Sequence, residues 1–228
     1  MDFVLVAGLW LDAPVWAPVA AELARLGHRP VPVALPAGPG AVTLDDQVAA
    51  VLAAVDAAVD RPWVVGHSAA SALAWVAADA RPERVAGVAM IGGFPPADGQ
   101  PYAPSFPIVD GAMPFPGWEP FAGPDSADLD EAARARLAAS AIPVPEGVAR
   151  ATVRLTDERR YDVPLVLVCP EFTPAQVRQW IDEGELPELA RARRATMVDL
   201  DAGHWPMVTR PIELAHALVS AATGDGPA

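Results

Sequence analysis

Short, continuous runs of apolar residues recur along the chain and alternate with segments of helical periodicity. The runs predicted to be strands are residues 3–6, 31–35, 63–65, 85–91, 164–168 and 196–200, of which the second contains proline. A strand that is apolar throughout is buried on both faces, as in a parallel sheet covered by helices. The alternation therefore predicts an α/β fold with a mostly parallel sheet flanked by helices.

Helix start signals lie between these strands. Asp12 can cap a first helix with Pro14 in its first turn, and Thr43 can open a second. Thr173 and Gln176 form a capping-box start for a helix that follows the fifth strand. The predicted helices cover roughly residues 12–27, 43–55, 69–80, 128–140 and 174–183, with a last helix from residue 211.

The segment from residue 97 to residue 161 interrupts the alternation. It is rich in proline and glycine, carries several aromatic residues and contains one predicted helix. A connection of this length inside a domain is usually functional, and its place above the strand ends predicts a lid.

The length of 228 residues fits one domain. We predict a core of residues 1–96 and 162–222, a lid at 97–161 and a disordered tail at 223–228.

The sequence VVGHSAAS, residues 64–71, predicts a strand, a sharp turn and a helix, with Ser68 at the turn. A serine there is lifted off the sheet, and the helix N-terminus faces the negative charge that develops during acyl transfer. The pattern GxSxG is met except at its last position, where Ala70 replaces glycine. An isolated GxS more often marks an ordinary tight turn, but its place after a buried strand favours a nucleophile.

His204 follows the last predicted strand within the sequence DLDAGHWPMV. Parallel strands deliver their carboxyl ends to one edge of the sheet, so a loop at this place can bring an imidazole to the serine. The other three histidines lack this placement. His204 is therefore the candidate general base.

A hydrolase also needs two backbone N–H groups directed at the oxyanion of the reaction intermediate. The residue after the nucleophile, Ala69, supplies one of them. The loop after the first strand, within LVAGLWLD at residues 5–12, supplies the other, and Leu9 is the best candidate by position.

With these residues in place, the chain resembles the compact α/β-hydrolases that include plant methyl-ester esterases and hydroxynitrile lyases. The resemblance rests on residues 3–94 and on the block GHWPMVTRP, and it covers nearly the whole chain apart from the lid. It implies an α/β-hydrolase fold with a catalytic triad in the order serine, acid, histidine. Two places depart from the family pattern. Ala7-Gly8 stands where the family has His-Gly, and the segment that carries the acid reads VCPEFTPAQ.

Glu171 is the predicted acid of the triad. It follows the apolar run 164–168 closely, in a very short loop before the next helix, whereas Phe172 occupies the place where an alignment puts the family's aspartate. A carboxylate there would hold one tautomer of the imidazole and stabilise its positive charge. Two alternatives stay open: another carboxylate serves as the acid, or the acid is missing. The other candidate carboxylates are Asp98, Asp157, Glu158 and Asp201.

The first interpretation of these residues is a serine hydrolase that cleaves a carboxylic ester, thioester or lactone through an acyl-enzyme on Ser68. The second keeps the same triad for a lyase or another proton-transfer enzyme, as the resemblance permits. The third is a relative that binds a ligand without catalysis, because a fold alone does not define a function.

Aromatic residues of the lid suggest a small, largely apolar substrate, although they could equally attach the lid to the core. The predicted substrate-binding residues are Trp10, His67, Phe106, Phe115, Trp118 and Phe121.

Charge and cysteine content limit the partners. The formal net charge of −13 argues against nucleic acid and against an anionic membrane surface. Cys169 is the single cysteine and the N-terminal sequence lacks the features of a secretory signal, so we expect a cytoplasmic protein. No motif indicates a metal or another cofactor. The predicted partner is a small-molecule substrate, and the oligomeric state stays open.

Overall fold

The computed structural model describes residues 1–38 and 41–224. Its strands, in chain order, are β1 (Asp2–Val6), β2 (Arg29–Pro32), β3 (Trp63–His67), β4 (Gly87–Ile91), β5 (Ala112–Met113), β6 (Val144–Pro145), β7 (Leu165–Cys169) and β8 (Ala195–Asp199). Six of them form one parallel sheet in the order β2-β1-β3-β4-β7-β8, and β5 pairs with β6 in a small antiparallel sheet. The predicted parallel sheet flanked by helices is confirmed.

The helices lie between these strands or follow the last of them. They are α1 (Ala17–Arg25), α2 (Leu44–Asp56), α3 (Ala70–Ala80), α4 (Glu131–Ala139), α5 (Glu146–Ala149), α6 (Pro174–Asp182), α7 (Pro187–Arg191), α8 (Pro206–Thr209) and α9 (Pro211–Thr223). Thr173 begins α6 with the predicted capping box, and Thr43, predicted to open a helix, also forms a capping box at the start of α2. Asp12 caps a short 3-10 helix, Ala13–Trp16, which leads into α1. Within residues 1–38 and 41–224, no helix has the length and apolar character to cross a membrane.

The central strands β1, β3, β4 and β7 are buried along their whole length, which explains why their sequences are apolar apart from Asp2 and His67 at strand ends. The edge strands β2 and β8 are partly exposed. The prediction placed the second strand at residues 31–35, whereas β2 begins at Arg29, opposite Asp2 of β1. Its two prolines are tolerated because β2 is an edge strand.

The insertion between β4 and β7 contains more structure than its sequence predicts. The predicted helix at residues 128–140 is α4, but β5, β6 and α5 were missed because elements of two to four residues show no periodicity. The two ends of the insertion pair with each other: the N–H of Val153 donates to the carbonyl of Gln100 at 2.8 Å, and that of Tyr102 to Ala151 at 2.8 Å. The division into a core and a lid stays a prediction.

The C-terminal helix extends further than the prediction allows. Thr223, assigned to a disordered tail, is the last residue of α9, and Gly224 closes the helix in the left-handed conformation. The remaining residues of the predicted tail, 225–228, lie outside the described residues.

A buried network of charges fixes α3, the helix that follows Ser68. Arg160 is 4% exposed and contacts Asp79 of α3 at 3.1 Å and Glu188 of α7 at 3.2 Å. The indole N–H of Trp75 donates to Glu188 at 3.0 Å. Each buried charge has an opposite partner, as charges in protein interiors require. The network thus ties the helix behind the candidate nucleophile to the end of the insertion.

Candidate active site

Ser68 stands in a strained turn between β3 and α3. Its φ of 54° is left-handed, a conformation that only Trp10, Ser68 and Asp110 adopt among the described residues other than glycine. The N–H of Ser68 donates to the carbonyl of Ile91 at 2.8 Å, and the residue remains partly exposed. Strained residues of this kind cluster at functional sites because the surrounding structure must hold them in place. The geometry is that of a nucleophile elbow.

Small residues allow the elbow to pack tightly. A Cβ atom on Gly66 would overlap the carbonyl oxygen of Ala70, and one on Gly93 would overlap that of Ser68. Ala70 itself is fully buried at the first position of α3. The fold therefore accommodates the methyl group at the position where the GxSxG pattern has its last glycine.

The loop after β1 lies directly against the nucleophile. A Cβ atom on Gly8 would be 3.1 Å from the Cβ of Ser68 and 2.8 Å from Nδ1 of His67. The neighbouring N–H groups of Leu9 and Ala69 donate no hydrogen bond within the described part of the chain. Two backbone donors next to the serine, neither used by the fold, form a candidate oxyanion hole.

His204 and Glu171 form a hydrogen-bonded pair at the carboxyl edge of the sheet. Nδ1 of His204 lies 2.7 Å from Oε1 of Glu171, and the two side chains are 14% and 12% exposed. A carboxylate only accepts hydrogen bonds, so Nδ1 carries the proton and Nε2 is left to act as a base. This is the arrangement that a general base requires from its acid.

Gly92, which follows β4, makes room for this pair. Its φ is 57°, and a Cβ atom there would be 3.0 Å from Nδ1 of His204 and 3.1 Å from Oε1 of Glu171. No role at the site was predicted for Gly92 from sequence. Its signal was the Gly92-Gly93 pair immediately after a buried strand.

The alternative carboxylates make other contacts. Asp98 accepts the N–H of Leu155 at 2.8 Å, and Asp157 and Glu158 pair with arginines. Asp201 is exposed, and within the described residues none of the four bonds to His204.

The serine and the histidine meet at the same sheet edge but are not hydrogen-bonded to each other in the described part of the chain. Catalytic hydrogen bonds often become well aligned only when substrate is bound. The structure thus joins two members of the predicted triad directly, and the third, Ser68, follows β3, which β4 separates from β7 in the sheet.

Residues of the insertion hold the loop that carries His204, residues 200–205, which we call the base loop. The N–H of His204 donates to the carbonyl of Asp125 at 2.7 Å, and that of Gly203 donates to the Asp128 carboxylate at 2.8 Å. Gly203 must be a glycine, because a Cβ atom there would overlap Asp128. Burial raises the pKa of Asp125, with a smaller contribution from Glu171. Neither aspartate could be assigned this role from sequence, since a contact between distant segments leaves no local signal.

His67 does not lie where a substrate contact would have to lie. Its side chain was assigned to substrate binding, but it is 1% exposed and lies between the elbow and the base loop, with its ring centroid 4.9 Å from that of His204. A side chain this enclosed has no surface for a substrate, so that assignment is corrected.

The other predicted substrate contacts form an aromatic cluster with Trp205, defined by Trp10, Phe106, Phe115, Trp118, Phe121 and Trp205. Trp10 packs edge-on against three phenylalanines at 5.2 to 6.0 Å, and Trp118 packs against Trp205 at 5.2 Å. The cavity inside the cluster holds only about 10 Å³. The cluster attaches the insertion to the core, and its role in binding substrate stays a prediction.

A larger cavity of about 360 Å³ reaches Ser68 and Ala69. Phe94, Ala97 and Leu186 line it, and Glu185 is its one charged lining residue among those that the structure describes. Its volume lies in the range of small-molecule sites. Within residues 1–38 and 41–224, no group of three His, Cys, Asp or Glu side chains could hold a metal ion.

Comparison with known proteins gives a family and a set of similar structures. The sequence matches the model of the alpha/beta hydrolase family over residues 3–217. No curated protein matches. A solved structure of an extracellular alpha/beta-hydrolase from a Paenibacillus species, described as sharing structural and functional homology with tobacco salicylic acid binding protein 2, has a TM-score of 0.77 at 20% identity. The match covers 97% of this chain and 98% of that one.

Two further structures are similar over nearly their whole length. A methylesterase from Arabidopsis has a TM-score of 0.73 at 16% identity, with 98% of this chain and 99% of that chain covered. A pyrethroid hydrolase from Sphingobium faniae has a TM-score of 0.69 at 20% identity, with coverage of 100% and 98%. At these identities the likeness concerns the fold alone, and it confirms the fold that the resemblance implied.

Proposed function

The chain belongs to the alpha/beta hydrolase family, and from that premise we propose that it is a serine hydrolase that cleaves a carboxylic ester, thioester or lactone. The observation that carries the proposal is the 2.7 Å pair of His204 and Glu171 at the sheet edge where the strained Ser68 stands. An imidazole held by a carboxylate beside such a serine is the machinery of acyl transfer.

In the first half of the reaction, Nε2 of His204 takes the Ser68 proton while Oγ bonds to the substrate carbonyl carbon. The carbonyl oxygen becomes an oxyanion and accepts hydrogen bonds from the N–H groups of Leu9 and Ala69. The bond to the leaving group then breaks, and Nε2 gives the proton to the departing alkoxide or thiolate. Throughout, Glu171 holds Nδ1–H and stabilises the imidazolium.

In the second half, a water molecule attacks the acyl carbon. As the water oxygen bonds to that carbon, Nε2 of His204 takes a proton from the water. The second intermediate collapses with cleavage of the bond to Ser68 Oγ, which regains its proton from Nε2. The products are a free carboxylic acid and the restored serine. Release of an acid distinguishes this reaction from a proton-transfer lyase on the same triad.

We assign the acyl group of the substrate to the cavity of about 360 Å³, because this cavity reaches both Ser68 and the proposed oxyanion donor Ala69. Its apolar side chains and its single carboxylate, Glu185, favour neutral and largely apolar acyl groups. The residues of the aromatic cluster stay proposed contacts for the rest of the substrate, since the loop of Leu9 and Trp10 joins them to the oxyanion hole.

Narrowing this cavity is expected to change the preference for acyl length. Ala97 is partly exposed at its wall, so Ala97→Leu should lower kcat/KM for p-nitrophenyl octanoate roughly tenfold relative to the acetate. Ala132→Leu, an exposed change on α4, is the matched control. Equal effects on all chain lengths would contradict the assignment. If Trp118→Ala changed the preference for chain length and Ala97→Leu did not, the acyl group would have to be assigned to the aromatic cluster instead.

A fluorophosphonate probe tests the function. We expect covalent labelling of the wild-type chain on Ser68, no labelling of Ser68→Ala, and release of a carboxylic acid from a panel of esters, thioesters and lactones. Labelling that persists in Ser68→Ala, or a wild-type chain that is neither labelled nor active on the panel, would refute the proposal. Labelling of Ser68 without formation of an acid would indicate the lyase alternative.

A further inference from the structure

His67 is enclosed between the elbow and the base loop although its side chain is polar. It is the last residue of β3, immediately before the candidate nucleophile, and it is 1% exposed. The ring of His204 lies on one side of it, and Gly8 packs against Nδ1 so closely that a Cβ atom there would be 2.8 Å away. A polar group buried this completely must serve the structure or the mechanism.

The single hydrogen bond of the His67 ring, within the described residues, goes to the base loop. Nε2 lies 2.7 Å from the backbone carbonyl of His204, and Nδ1 is buried without a partner. A carbonyl only accepts hydrogen bonds, so Nε2 is the protonated nitrogen. Burial, with the neighbouring His204, lowers the pKa of His67 to about 3. The ring is therefore a neutral donor in one tautomer at neutral pH.

The candidate base is thus held at three atoms. Its Nδ1 bonds to Glu171 after β7, its backbone N–H bonds to Asp125 of the insertion, and its carbonyl accepts from His67. Of these three bonds, only the one from His67 comes from the strand that leads directly into Ser68. It is the contact that relates the position of the base to the position of the nucleophile.

We propose that His67 is a positioning residue, which fixes the distance between His204 and Ser68 through its hydrogen bond to the His204 carbonyl. The inference rests on the proposed function, because it concerns the geometry of that reaction. Its effect is indirect: a base loop displaced by about 1 Å loses the alignment with Oγ, and such displacements lower rates by up to roughly a hundredfold.

Two substitutions separate the hydrogen bond from the packing. In His67→Gln the side-chain amide can still donate to the His204 carbonyl, whereas His67→Leu fills a similar volume with no donor. We expect His67→Leu to lower kcat roughly tenfold to a hundredfold with little change in KM. His67→Gln should recover most of that loss. If the role were purely structural, both variants would yield less folded protein, and each folded molecule would be as active as the wild type.

His67→Asn provides a second variant without a donor in reach of the His204 carbonyl, should His67→Leu not fold. Its shorter amide takes the place of Nδ1, toward Gly8, and does not reach the carbonyl, so its kcat should fall like that of the leucine variant. Full kcat in His67→Leu or in His67→Asn, beside an active wild type, would overturn the positioning role and leave the proposed function intact. A wild type that neither reacts with the fluorophosphonate nor hydrolyses esters would overturn the proposed function, and this inference with it.

Discussion

Ser68→Ala is expected to lower kcat for ester hydrolysis by about a thousandfold or more, because it removes the atom that bonds to the acyl group. Alanine keeps the Cβ atom of serine, so the left-handed turn at φ 54° carries the same strain in both chains. The buried packing around Gly66 and Gly93 is untouched. The variant should therefore fold with a Tm close to that of the wild type.

The measurement is single-turnover and steady-state hydrolysis of a p-nitrophenyl ester, with Tm recorded for each variant. Ser140→Ala, an exposed serine at the end of α4, is the matched control and should keep full activity. Hydrolysis by Ser68→Ala at near wild-type rates would exclude the serine mechanism.

Glu171→Gln is expected to lower kcat by roughly a hundredfold or more. Glutamine has nearly the same shape, but it has no charge to stabilise the imidazolium, and its amide nitrogen can force His204 into the wrong tautomer. The second carboxylate oxygen of Glu171 is buried without a hydrogen bond in the described residues, so few other contacts are lost. Stability should change little while catalysis falls.

Rates measured from pH 6 to pH 9, together with Tm, check this expectation. Glu183→Gln removes an equal charge from the exposed end of α6 and serves as the control. If Glu171→Gln retained most of its activity across that range, the pair seen at 2.7 Å would have a structural role, and the acid would have to be sought elsewhere.

The sheet could be predicted from sequence because β1, β3, β4 and β7 are buried on both faces and are apolar apart from Asp2 and His67 at strand ends. Prediction was less accurate at β2, where prolines and partial exposure weaken the pattern. Elements of two to four residues inside the insertion had no pattern to detect.

The candidate site was predictable where it follows from topology. Ser68 comes directly after β3, Glu171 lies in the short loop after β7 and His204 in the loop after β8, and such positions share one edge of the parallel sheet. Contacts between distant segments were not predictable. The enclosure of His67, the bonds of Asp125 and Asp128 to the base loop, and a cavity bordered by Leu186 depend on how loops far apart in sequence meet.

Because the insertion anchors the base loop, it cannot be exchanged freely between related proteins. A lid that only covered a pocket could be exchanged as a cassette between relatives. Here the insertion supplies the carbonyl of Asp125 and the carboxylate of Asp128 to residues 203 and 204. A transplanted lid must bring equivalent acceptors, and Gly203 must be kept with them. The insertion and the loop that carries His204 therefore have to be exchanged together, although about 75 residues of chain separate them.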